Sequence, residues 1–264
     1  MAEPIAGWID NVYGPTGVVV GAAVGLLHSL QCDPEKVADL VPGDYVVNAT
    51  IAAAWRTAKD YTGNHEAPPS DLDPPVYNFV SSVDKPLTWK KFMHLTEFYG
   101  LNCPTMHAVW YYILYLNPQK WLHTLVCLLL HWIPAYLVDS VLVLMGKKPM
   151  LVQAYRKIHK FSEVITYFST QEWKFENANT KQLYETMRPA DRDAFNFDLT
   201  RLTWSEYFST YVKGVRTYLM KDPVETIPGA TRKYYMFKCL HYVASCVFFY
   251  LLYKLLSFLL LSIF

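Results

Sequence analysis

The sequence predicts an α/β piece, then a mainly α-helical domain, then a C-terminal membrane helix. Three observations predict this order. Residues 14 to 30, GPTGVVVGAAVGLLHSL, open with a turn and run on as Gly- and Ala-punctuated apolar chain. Aromatic residues, 16% of the total, concentrate after Phe92 and recur at helical spacing. The last stretch, Cys239 to Phe264, is apolar apart from His241 and Lys254 and is long enough to span a bilayer.

A length of 264 residues admits two small domains with a stable core. The net charge of +1 and the lack of a basic stripe set nucleic acid aside as a partner. Five cysteines without CxxC spacing read as reduced thiols facing a cytosol, and no zinc motif is implied.

In chain order, Gly17, Gly21 and Gly25 lie four apart in an apolar run of about fifteen residues, too short to span, so small residues on one face read as close packing. Asp44 is the expected N-cap of a helix ending near Lys59. Residues 61 to 75 read as a loop, VYNFVSS as a buried strand, and Thr88 as the cap of a helix stopped by Gly100 and Pro104.

The central run from Trp121 to Pro149 is apolar, but Pro134 must kink a helix and His131 and Asp139 are costly at membrane depth. A re-entrant hairpin or an interfacial helix is therefore expected over a straight crossing. Basic residues after the run, and again before the last one, place residues 147 to 238 in the cytosol. Leu151, Tyr155, Ile158, Ile165 and Phe168 form an amphipathic stripe. TWSE at Thr203 to Glu206 reads as a capping box for a helix carrying Trp204, Tyr207, Phe208, Tyr211 and Val215.

Catalytic motifs are scarce: the sequence has no GxGxxG after a strand, no GxSxG, no HExxH and no P-loop. The YxxxK at Tyr250 to Lys254 falls in the apolar tail, away from any strand-helix context.

Several strings in order nevertheless resemble one family. EPIAGWIDNVYGPTG, ADLVPGDYVVNATIAAAW, VYNFVSSVDKPLTW, HWIPAYLVDSVLVLMGKKP, WKFENANTKQLYETM and DRDAFNFDLTRLTWSEY are similar to segments of fatty acyl-CoA reductases, closest to insect members. The resemblance implies an α/β remainder, the C-terminal half of an extended short-chain dehydrogenase Rossmann domain, over residues 1–115. It implies an apolar membrane-associated or re-entrant segment over 116–149, a helical C-terminal (sterile) domain over 150–235, and a transmembrane anchor over 239–264.

It further implies reduction of long-chain acyl-CoA to a primary alcohol with NADPH, the proton coming from a Tyr whose neighbouring Lys lowers its pKa. The glycine-rich cofactor loop and that YxxxK are expected upstream of Met1, so no catalytic, cofactor or metal residue is assigned here. Candidate substrate contacts are Trp8, Ile9, Asp10, Asn11, Gly14, Gly17 and Gly21, where a bulky ring beside flexible glycines suits an acyl or pantetheine arm.

The expected partners are long-chain acyl-CoA, a membrane and a further copy of the chain. The expected location is membrane-bound with the bulk facing the cytosol, at the endoplasmic reticulum first and the peroxisome second. The competing expectation is a non-catalytic, membrane-attached module that binds acyl groups or a partner protein.

Overall fold

A computed structural model describes residues 4–63 and 75–263. It is mainly helical, with one small parallel sheet. Helix α1 (Pro15–Ala23) follows Gly14 and takes Pro15 in its first turn, where the missing N–H costs nothing. Gly25, at φ 73°, ends it: Leu26 and Leu27 both donate to the Gly21 carbonyl. The helix therefore stops well before residue 30, where the apolar run ends, and β1 (Ser29–Gln31) follows.

Helix α2 (Gly43–Gly63) has Asp44 in its first turn rather than before it, and runs beyond the expected end at Lys59. The expected strand at VYNFVSS does not form. Its backbone lies against α7 (Ala178–Thr186) instead, where Asn179 donates to the Val76 carbonyl and Thr180 to that of Asn78. Side chains of a helix thus take the place of a neighbouring strand. The expected loop over 61 to 75 lies for the most part outside the described residues.

Thr88 does cap α3 (Trp89–Leu101), accepting from the Lys91 N–H. Strand β2 (Tyr115–Asn117) pairs parallel with β1, with Ser29 opposite Tyr115 and Gln31 opposite Asn117. The central run is helical throughout: α4 (Lys120–Cys127), one π-helical turn at Leu128–Trp132, and α5 (Ile133–Leu144). The register shift falls just before Pro134, which has no N–H to give the turn behind it.

Gly146, at φ 73°, reverses the chain into α6 (Leu151–Ser169), which packs back along α5. Asp139 fixes the turn, its carboxylate accepting from the N–H groups of Met150, Leu151 and Val152 at the start of α6. At the far end of α6 the Ser169 hydroxyl donates to the Gln31 carbonyl of β1.

Next come α7 (Ala178–Thr186), α8 (Pro189–Ala194) and α9 (Trp204–Gly214). The capping box expected at the start of α9 is not made, since the Thr203 side chain accepts no cap bond. Entry into the helix is set instead by Trp204, buried in the core with its Nε1 donating to the Lys85 carbonyl. A second π turn (Val215–Leu219) leads toward α10 (Ile227–Ile263).

One apolar core joins the front and the back of the chain. Val18, Leu30 and Phe92 pack with Ile165, Trp204, Phe208 and Val215, so residues on both sides of the central run share it. Phe92 meets Phe208 edge to face at 5.1 Å.

Candidate functional site

Two features lie around this core. The first is an apolar cavity of about 60 Å³ between α1, α3 and α9. Val19, Ala22, Met93, Val212 and Met220 line it, with Glu97 the acidic side chain on its wall. About 10–15 Å³ holds one water on this measure, so the space would take roughly four waters or a short stretch of methylenes.

Under the cavity runs a buried ion pair. Arg216 contacts Asp222 at 3.1 Å, the two side chains being 4% and 3% exposed. Arg216 also donates to the carbonyls of Pro104, Asp222 and Pro223, while Asp222 accepts from Thr105 and the Met106 N–H. Burial pushes the Asp222 carboxyl up, but the bonds from Thr226, Met106 and Thr105, with Arg216 beside it, hold it below its ordinary value. The pair ties the loop before β2 to the end of α9.

The second feature is a chain of histidines beneath the central run. The His28 N–H donates to His131 Nε2 at 2.9 Å, and His131 Nδ1 lies 3.3 Å from His159 Nε2. A backbone N–H can only donate, so His131 is neutral, carries its proton on Nδ1 and passes a hydrogen bond to His159. His131 is fully buried and stacks on Tyr155 at 4.7 Å, and Trp132 stacks on His159 at 4.9 Å. His28 Nδ1 is 3.2 Å from the Ile113 carbonyl, and burial lowers its pKa to about 4. His123 bonds Ser29, which also accepts from Asn117.

Cys127, His131 and His159 bring donor atoms within 4.8 Å of one another, the kind of set that can take a metal ion. The His28 bond opposes this. A metal on His131 Nδ1 would move the ring proton to Nε2, where it would face the His28 N–H. As arranged, the cluster is a hydrogen-bonded chain joining the hairpin to β1. Sequence reading missed it because Cys127, His131 and His159 fit no zinc spacing; the available signal was His123, Cys127 and His131 recurring every fourth residue in an apolar run.

The sequence-derived candidate contacts fall into two groups. Trp8, Asp10 and Asn11 sit on an exposed loop, where Asn11 Oδ1 accepts from the Tyr13 N–H, while Ile9 packs against the core. Gly14 faces open space. Gly17 is covered by Phe161 and Gly21 by Leu27, whose Cβ would lie 3.2 Å from an added methyl. The helix N-terminus after Gly14 therefore offers no open glycine cradle of the kind that approaches a dinucleotide pyrophosphate, and no strand precedes it among the described residues.

Residues 130–222 match a family described as Male sterility protein, and residues 1–50 match a NAD-binding family of the same description. Fatty acyl-CoA reductase wat of Drosophila melanogaster is 38% identical over 94% of this chain and 46% of its own length. Fatty acyl-CoA reductase 2 of Mus musculus is 31% identical over 96% of this chain and 48% of its own. A putative fatty acyl-CoA reductase of Drosophila melanogaster, CG8306, is 32% identical over 96% and 49%.

The chain belongs to the fatty acyl-CoA reductases and corresponds to their C-terminal portion. It spans about half the length of the curated relatives it matches. The comparisons lend no support to a homo-oligomer.

Proposed function

We propose that the chain is the C-terminal half of an NADPH-dependent, alcohol-forming fatty acyl-CoA reductase, and that it supplies part of the acyl-chain wall and the membrane attachment. The carrying observation is the 38% identity to a fatty acyl-CoA reductase over 94% of the chain. The reaction converts an acyl-CoA thioester with two NADPH and two protons into a primary alcohol, free CoA and two NADP⁺. NADPH would supply both hydrides in the intact enzyme, and the described residues would hold neither nucleotide.

The described residues hold no fitting nucleotide cradle, so no step is assigned to them through the cofactor. Their part is to bind and exclude water. The cavity between α1, α3 and α9 accepts methylenes of the chain. Each methylene buried against such lining gains about 0.8 kcal/mol.

Among the described residues, two helical stretches, Lys120–Leu144 and Val224–Phe258, are long and apolar enough to cross a membrane. From Thr231 to Phe258 no residue is buried, so α10 is the proposed anchor. The endoplasmic reticulum is the proposed compartment, with the peroxisome second.

The test is fatty alcohol production from long-chain acyl-CoA and NADPH by the full-length gene product, alone and with Ala22→Phe. The intact protein is expected to form alcohol, and the variant to shift preference toward shorter chains. Absence of alcohol from every chain length would overturn the assignment.

A further inference from the structure

We propose that the central apolar run does not cross the membrane, and that the α5–α6 hairpin lies in the plane of the cytosolic leaflet as a second, monotopic attachment. This rests on the membrane attachment through α10 proposed above.

The run passes the test of length and composition for a span. Its two ends, however, are tied to one sheet. Helix α4 begins just after β2, and α6 returns to β1, where Ser169 donates to the Gln31 carbonyl and accepts from the Asp33 N–H. A crossing by α4 and α5 would need a second crossing by α6, which exposes Arg156, Lys157, Lys160 and Glu163.

Length gives the same answer. His131 is fully buried and hydrogen-bonded to the His28 backbone, so α5 is free of the folded unit only beyond it. From there to Leu144 a helix rises about 20 Å, short of the roughly 30 Å of hydrocarbon it would have to span.

What the hairpin offers instead is one apolar face. Leu129, Ile133, Leu137, Val141 and Leu144 recur along it and are all exposed, Leu144 at 87%. The opposite face is satisfied within the protein, with Ala135 buried and Asp139 holding the start of α6.

Two observations make a bilayer the occupant. The central run and the anchor pass neighbouring residues: the central run meets His28 just before β1, and α10 meets Tyr111 shortly before β2, with His241 close enough to His28 to act on its charge. Both apolar helices thus pass the same end of the sheet. The exposed Lys147 and Lys148 at the hairpin tip complement anionic headgroups and oppose a tip-first plunge, which leaves the helix lying flat with its apolar stripe in the acyl boundary.

The test places one fluorophore at a time on the full chain in vesicles of phosphatidylcholine and phosphatidylserine. The positions are Leu137→Cys and Val247→Cys, with Cys103, Cys239 and Cys246 replaced by serine. Lipids carry a nitroxide either near the headgroup or near the bilayer centre.

The label at 137 is expected to be quenched at least twofold more by the shallow nitroxide, and the label at 247 more by the deep one. A label at 137 that neither nitroxide quenches, beside a quenched label at 247, overturns the hairpin and leaves the anchor standing. A label at 137 quenched best by the deep nitroxide, with Lys148→Cys reactive only from the vesicle lumen, overturns it in favour of a crossing. Loss of quenching at both positions removes the anchor as well.

Discussion

Replacing Gly214 by alanine sets two effects against each other, and the structure decides the sign. Gly214 is the last residue of α9, where alanine is favoured over glycine by up to about 1 kcal/mol. Its missing Cβ, however, faces the backbone of Gly7, whose Cα would lie 2.9 Å from an added methyl. Gly7 cannot turn away cheaply. It sits at φ 74°, and its own added methyl would meet the Thr210 carbonyl at 2.6 Å, so glycine is required on both sides of the contact. Overpacking of this kind costs about 3 kcal/mol at the upper end of its usual range. Net destabilisation is thus about 2 kcal/mol, or a fall in Tm of roughly 6 °C for a chain of this size.

Gly100, near the end of α3, is the matched control. The nearest atom to its added methyl is a Val212 carbon at 4.0 Å, so Gly100→Ala should raise Tm slightly. Thermal unfolding followed by tryptophan fluorescence in detergent reads both. A Gly214→Ala protein as stable as the parent would refute the reasoning, because helix propensity would then have outweighed the backbone contact.

Three further outcomes are expected. Asp222→Ala leaves Arg216 charged, buried and without its carboxylate, and should cost about 3–5 kcal/mol in denaturant unfolding; Glu97→Gln, on the wall of the same cavity, should cost far less. His28 is a base whose folded pKa, about 4, lies below its ordinary 6.5, so protonation favours the unfolded chain. Its contribution is intact above pH 6.5 and should be lost progressively down to pH 4, by about 3 kcal/mol in all, and His28→Gln should flatten that slope. Asp139→Ala removes the acceptor for three N–H groups at the start of α6, and limited proteolysis should then cut between Gly146 and Leu151 before any other site.

Elements whose signals are local were legible in advance. Thr88 before a helix, the Trp204–Phe208–Tyr211 stripe and the terminal apolar helix depend on neighbours within a few residues. So did the family, since the matching strings are contiguous. The strand expected at VYNFVSS failed because extended backbone becomes a strand only beside another strand, and here its partners are Asn179 and Thr180 on a helix about a hundred residues on.

The candidate site divides along the same line. Sequence alone determined that glycines recur from Gly14 to Gly25, that His131 and Asp139 interrupt an apolar run, and that the chain ends in a helix with almost no polar face. Only the tertiary structure decided that Gly17 and Gly21 are spent on Phe161 and Leu27, that His131 answers the backbone of His28, and that Asp139 closes a hairpin. The physical reason is that hydropathy and spacing are properties of short windows, whereas hydrogen-bond partners are selected by burial. A polar group removed from water must be paired with whatever the fold brings within 3 Å or so, and for His131 that was a residue 103 positions away.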